Sequence, residues 1–229
     1  MKIETIEMKN FQIKIGAEIY AACPQFRFAA IECAVKNSPH DERLWREIDD
    51  FSVAFRATHK MEDINKRPTI DATRQAYKSL GKDPARYRPS AEALCRRIVK
   101  GMDLYRIDTL VDLINLFSMK TGYSIGGFDA GKIQGNVITL GVGKADELFE
   151  AIGRGLLNIE GLPVYRDAAG GIGTPTSDEE RTKITAETTH LLMIINGYSG
   201  EEGLREAVDY AVELLVKYAE AKEIQITIR

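Results

Sequence analysis

The sequence is poor in the residues that build metal centres and nucleophilic sites. It has three cysteines, Cys23, Cys33 and Cys95. None sits in a C-x-x-C pair, so neither a disulfide framework nor a zinc pattern is indicated, and free buried thiols are expected. The three histidines, His40, His59 and His190, are widely separated, and none has metal-ligand spacing to another. No apolar run approaches the roughly 20 residues of a membrane span. The opening MKIETIEMKN lacks the apolar core of a secretion signal, so a cytosolic location is expected. G-x-x-x-x-G-K-[ST], G-x-S-x-G and H-E-x-x-H are all missing. Gly171-Ile172-Gly173 is followed by Thr174-Pro175, which does not open a Rossmann helix. No cofactor and no metal is therefore indicated.

What remains is ordinary globular material: 229 residues, 44% hydrophobic and 28% charged, with a formal net charge of -3. That balance argues against a strongly electrostatic nucleic-acid binder. The average hides an asymmetry. Residues 60 to 106 hold twelve Lys/Arg against six acids, whereas residues 177 to 213 hold nine acids against three bases. A basic face able to meet phosphates competes here with a plain solvated helix surface.

Strands are expected at Lys2–Met8, Phe11–Lys14 and the apolar run Phe26–Val35, with a short helix at Glu18–Ala22 between the last two. Leu44, Ile48, Phe51 and Phe55 give Asp41–Arg56 helical spacing. Further helices are expected at Thr69–Leu80, ended by Gly81, and at Ala91–Lys100, capped by Ser90. Another follows, capped by Asp108 or Thr109 and ending at Thr121-Gly122. Glycine-dense sequence from Tyr123 to Gly173 then carries short strand candidates Val137–Val142, Leu156–Ile159 and Val164–Arg166. Leu191–Ile195, a helix over Glu201–Lys222 and a last strand Glu223–Arg229 complete the chain. Mixed helices and strands without steady βαβ alternation predict an α+β fold with a mixed or antiparallel sheet packed by helices.

Four features bear on chemistry. In the helix IDTLVDLINLF, Asp112 and Asn115 share a face three residues apart and must be hydrogen-bonded if buried. Asp112 is expected to tie down a neighbouring loop, while Asn115 is a candidate pocket residue. Gly126-Gly127 permits close backbone approach, or alternatively makes a tight turn, with Phe128 packed inward. In Gly170–Thr182, backbone N–H groups and hydroxyls suit an oxyanion site, or else a surface loop capped by Ser177 or Asp178. His190, at the start of an apolar strand, is expected to be structural rather than a catalytic base.

The stretch RIDTLVDLINLFSMKTGYSIGGFD, Arg106 to Asp129, resembles a signature of the B3/B4 domain of the phenylalanyl-tRNA synthetase beta chain. The pattern there is "VVD-x-x-N-Y-V" followed by "E-x-G-Q-P-M-H-A-F-D". Leu110, Val111, Asp112, Asn115, Gly122, Phe128 and Asp129 match it in character and spacing. SAEALCRR upstream and the glycine-rich Gly170–Leu192 downstream extend the likeness over about Arg88 to Asn196. The resemblance implies a single B3/B4-like domain over residues 1–229, with 1–85 an N-terminal extension packed on an 86–229 core. It implies a partner, the aminoacyl end of tRNA, and hydrolysis of a wrongly attached amino acid. By position the substrate pocket comprises Asn115, Gly126, Gly127, Gly173 and Thr174, and Arg86, Arg88, Arg96, Arg97 and Lys100 are the phosphate-contacting candidates. The family's histidine is replaced by Gly126, and its later acid by an apolar residue near Met193 or Ile194. No catalytic side chain is assigned. A trans-acting aminoacyl-tRNA deacylase is the leading expectation. A non-catalytic RNA-binding protein and an amino-acid or small-molecule binding module are the alternatives.

Overall fold

The computed structural model describes residues 7–229; the expected strand Lys2–Met8 falls largely outside them. Two sheets and a helical layer stack on one another. The central sheet has the order β10-β2-β9-β3 and is antiparallel throughout, from β2 (Arg27–Ala34), β3 (Ile125–Asp129), β9 (His190–Gly197) and β10 (Lys222–Ile228). The second sheet is mixed, with the order β1-β4-β7-β8: β1 (Gln12–Ile15) runs parallel to β4 (Val137–Val142), and β7 (Pro163–Asp167) and β8 (Gly170–Gly173) follow antiparallel. The fold class is thus α+β.

The two long apolar runs in the sequence take the middle of the central sheet because both of their faces are covered. Ala29, Ile31 and Cys33 of β2, with Leu191, Met193 and Ile195 of β9, face the helices. Their alternates Phe28, Ala30, Leu192 and Ile194 face the second sheet, where they meet Leu140, Tyr165 and Ile172. A strand buried on both sides cannot alternate apolar with polar, so it reads as a continuous hydrophobic run.

The helical layer comprises α2 (Glu42–Thr58), α3 (Pro68–Ser79), α4 (Ser90–Val99), α5 (Thr109–Thr121) and α6 (Leu204–Ala219); a short α1 (Ala17–Ala22) links β1 to β2. Local chemistry sets the helix ends. Asp41 accepts hydrogen bonds from the N–H groups of Arg43 and Leu44, and Asp108 accepts from Val111. Gly122 closes α5 at φ 79°, in the left-handed region where only glycine is unstrained. Glu47 then pins three helices together. It accepts from Lys120 on α5 (2.8 Å) and from Lys217 (2.9 Å) and Tyr218 (2.6 Å) on α6, and these donors hold its carboxyl down to about 2.

Several expectations differ from what forms. Ser90 does not cap α4. It is the first helical residue behind Pro89, and its hydroxyl makes no capping bond. Leu156–Ile159 supplies only the second half of a two-residue pairing, β5 (Glu150–Ala151) with β6 (Gly155–Leu156). Gly126-Gly127 lies within β3 rather than in a turn, because hydrogen bonding to Met193 and Ile194 on β9 makes a strand where side chains offer no pattern. Gly170–Gly173 is likewise a strand rather than loop, paired with β7.

Candidate functional site

A cavity of about 420 Å³ opens beside β3, at the edge of the central sheet, against α5. Ile107, Val111, Ile114, Ile125 and Ile184 give it aliphatic walls. Its polar lining comes from Ser90 at the start of α4, from Asn115 and Ser118 on α5, and from the segment after β8, through Thr174, Thr176, Ser177, Asp178 and Lys183. Of the residues assigned from sequence, Asn115, Gly127 and Thr174 meet here. Gly126 and Gly173 do not line the cavity. Each faces the Phe128 ring on the opposite side of β3, where an added Cβ would sit 2.6 Å and 2.7 Å from Phe128 Cζ. Strand alternation explains the split, since Gly126 and Phe128 share one face and Gly127 takes the other. A Cβ on Gly127 would lie 2.8 Å from Ile114 Cδ1 and 3.4 Å from Ile184 Cδ1, so this glycine keeps the cavity hollow.

A second cavity, about 440 Å³, adjoins the first, and Ser90, Asn115 and Thr176 line both. Its wall is cationic: Arg88, Arg96, Arg97 and Lys100 of the sequence-assigned set, joined by Arg154 from the β5–β6 turn. Arg86 lies outside it and packs on Tyr87 instead. The cations are not equally available. Glu92, wholly buried, accepts from Arg96 Nε (2.7 Å) and Arg74 Nη1 (2.8 Å), and Arg88 Nε stands 3.6 Å away. One carboxylate thus engages three guanidiniums. The spacing Arg88–Glu92–Arg96, four residues each way across the start of α4, signals two of these pairs in sequence; Arg74 comes from α3. Lys100 and Arg154 make no ion pair among the described residues, and Arg97 stacks 4.2 Å over the ring of Tyr105, which is 69% exposed.

Of the two readings of the glycine-rich segment, the self-bonded loop is the one that forms around Thr174, Thr176, Ser177 and Glu179, whose backbone N–H groups are all taken up within the segment. The Thr174 hydroxyl accepts from the N–H of Thr176 (3.1 Å) and of Ser177 (3.0 Å) and donates to Ser177 O. Thr176 is tied in turn to Tyr77 and to the backbone oxygen of Tyr87. By contrast, the Ser90 hydroxyl and the Asn115 amide, both at the junction of the two cavities, have no hydrogen-bond partner among the described residues.

In the sequence Asp178 stands only as a possible loop cap, and no local pattern marks it. A backbone bridge to Gly173 and the bond from Ile152 N–H to its own carbonyl (3.1 Å) lock it against β8 and the β5–β6 turn. Its Oδ2 accepts from Gly127 N–H (3.1 Å), while Oδ1 is shielded from solvent with no partner. A Cβ on Gly173 would come 2.6 Å from that Oδ1, so the glycine makes room for the carboxyl. Burial pushes the Asp178 carboxyl up to about 8, outweighing the opposing Gly127 bond.

The remaining candidates are structural. Asp112 accepts from Trp45 Nε1 (2.6 Å) and from Ile107 N–H (3.1 Å), tying down the segment before α5. His190 Nε2 pairs with Glu32 Oε1 at 2.8 Å, buried, and Glu32 also takes the Lys9 N–H. All three thiols are free and buried; burial pushes Cys33 up to about 12 and Cys95 to about 11, which makes both poor nucleophiles.

Fold and site together define an α+β protein with an aliphatic pocket that opens onto a cation-lined groove. The profile of the B3/4 domain family matches residues 72–220, most of the chain, so the protein belongs to the B3/4 domain family. No curated protein matches the sequence. Among solved structures, it is similar to the crystal structure of an N-terminal fragment of the phenylalanyl-tRNA synthetase beta-subunit from Pyrococcus horikoshii, with 15% identity and a TM-score of 0.49. The match covers 97% of this chain and 52% of that one, so this chain spans about half the length of that fragment.

Proposed function

We propose that this protein binds the aminoacyl end of tRNA and hydrolyses mischarged aminoacyl esters in trans, acting as one domain. One observation carries the reading: an aliphatic pocket sized for an amino-acid side chain is continuous, across Ser90, Asn115 and Thr176, with a groove lined by cations. An aminoacylated RNA end has that same division. Its side chain is compact and its backbone anionic, and the ester lies between them.

Ester hydrolysis needs no protein nucleophile when water is positioned and the developing oxyanion meets fixed dipoles. Here the free Ser90 hydroxyl and Asn115 amide stand at the junction where the ester would lie. Lys100, Arg154 and Arg97 are the cations offered to phosphate, with the Tyr105 ring beside them as a surface for a base.

A second reading, an amino-acid or small-molecule binding module, is favoured by the engagement of Arg88 and Arg96 with Glu92, which leaves the groove fewer free charges. Release of labelled amino acid from a panel of mischarged tRNAs tests the proposal. Hydrolysis above the buffer rate, weakened in Asn115→Ala, is expected. No release from any member of the panel refutes it.

A further inference from the structure

We infer that Ser118 sets the specificity of the first cavity, selecting aminoacyl groups whose short side chain carries a hydroxyl over hydrocarbon side chains of the same shape. The inference rests on the aminoacyl reading above and names its substrate class.

Three buried hydroxyl residues line the cavity: Thr174, Thr176 and Ser118. The two threonines are committed, Thr174 to the backbone of Thr176 and Ser177, and Thr176 to Tyr77 and the backbone of Tyr87. Ser118 is 3% exposed, yet its hydroxyl has no hydrogen-bond partner among the described residues. It does not turn back on its own helix either. Thr58, Thr73 and Thr121 all donate to the carbonyl four residues earlier, a common resort of a hydroxyl within a helix, whereas Ser118 leaves the Ile114 carbonyl alone. Its oxygen is also reachable, in contrast to the unpartnered Ser124 Oγ, which is sealed from solvent. A buried donor and acceptor without a protein partner, open to a cavity, finds its match in what enters that cavity.

Position decides which part of a ligand this hydroxyl meets. Asn115 lines both cavities, at the junction where the ester would lie, and Ser118 lines the first cavity alone. The two are three residues apart on α5, which sets their Cβ atoms about 5–6 Å from one another on one helix face. An aminoacyl group with its ester at Asn115 therefore sends its side chain toward Ser118, and the span suits a hydroxyl on the β- or γ-carbon. A phenolic hydroxyl, a whole ring further out, overshoots. Ile114, Ile125 and Ile184, the buried isoleucines of the lining, offer such a hydroxyl no alternative partner. The remaining polar lining of the first cavity is engaged: Ser177 with the Asp178 carbonyl, Asp178 with the Gly127 N–H, and Lys183 with Glu180. A hydrocarbon side chain would strip water from the Ser118 hydroxyl and return no hydrogen bond.

The test uses the full chain and non-hydrolysable 3'-aminoacylamino-3'-deoxyadenosine probes. Threonine and valine probes have the same shape and differ by a hydroxyl in place of a methyl group. Calorimetry should show the threonine probe binding about tenfold tighter than the valine probe. Ser118→Ala should abolish that preference. Because the hydroxyl holds no protein bond, the variant should melt no lower than wild type, whereas a structural hydroxyl would lower the melting temperature when removed. Tyrosine and phenylalanine probes should bind alike. Equal binding of the threonine and valine probes, a preference that survives in Ser118→Ala, a clear fall in the variant's melting temperature, or a tyrosine preference that depends on Ser118 overturns the inference and leaves the aminoacyl reading standing. Binding of no probe ends both. Failure to hydrolyse any tRNA refutes the deacylase claim alone, since Ser118-dependent binding of the threonine probe would still support the assignment.

Discussion

Asp178→Asn should change the stability of the protein in a way that depends on pH, even without ligand. The folded carboxyl sits at about 8, against about 3.9 in an unfolded chain. Between those limits folding takes up a proton. The group therefore imposes no penalty below about pH 4, weakens the fold progressively as pH rises, and reaches its full cost above about pH 8. Each unit is worth about 1.4 kcal/mol, so the wild-type chain should lose on the order of 3 kcal/mol from this group between about pH 5 and about pH 7. Asparagine cannot ionise. It can still accept the Gly127 N–H, but it leaves an amide donor unmatched, at a cost of about 1 kcal/mol. The variant should thus be slightly less stable than wild type at about pH 4 and below, and clearly more stable at about pH 7. Carboxylates held below their usual range, among them Glu47 at about 2, titrate on the acid side of this window and are common to both proteins. Urea unfolding at a series of pH values, followed by far-UV circular dichroism, measures the difference directly. Parallel stability curves for the two proteins would refute the claim that burial governs this carboxyl.

Gly127→Ala should fold with a loss of about 1–3 kcal/mol, because its methyl group can be met by small shifts of Ile114 and Ile184. It should also lower deacylation at least about tenfold, a ratio read from single-turnover release. Asn115→Ala should reduce that rate by a comparable or larger factor with little change in melting temperature, since the amide has no protein partner to lose. Combining Lys100→Ala with Arg154→Ala should weaken tRNA binding and reduce the slope of log affinity against log salt by about 1.4, whereas Arg86→Ala should leave the slope unchanged. Glu92→Gln should destabilise the fold by about 3 kcal/mol, measured by denaturant titration, because it leaves the partly buried guanidiniums of Arg74 and Arg96 without their counter-charge.

Much of this architecture is legible in the sequence. The continuous runs through Phe28 and Met193 announce strands buried on both sides, and the helices follow from their spacing and from Asp41, Asp108 and Gly122 at their ends. Asn115 stands out as a polar residue on an apolar helix, and the motif around it marks the family. These signals are local: burial period, capping and chain breaking act within a few residues.

Tertiary structure alone decided the rest. Gly126-Gly127 and Gly170–Gly173 become strands only because β9 and β7 offer them hydrogen bonds. Which glycine faces the cavity is a matter of strand phase, and glycines carry no side-chain pattern to reveal it. The charge of Glu92 is divided among arginines from α3, from α4 and from the segment that leads into it. Asp178 looks like one acid in an acidic loop, and its difficulty in ionising comes from the strand, the hairpin and the helix packed around it, since the cost of removing a charge from water depends on everything that takes the water's place.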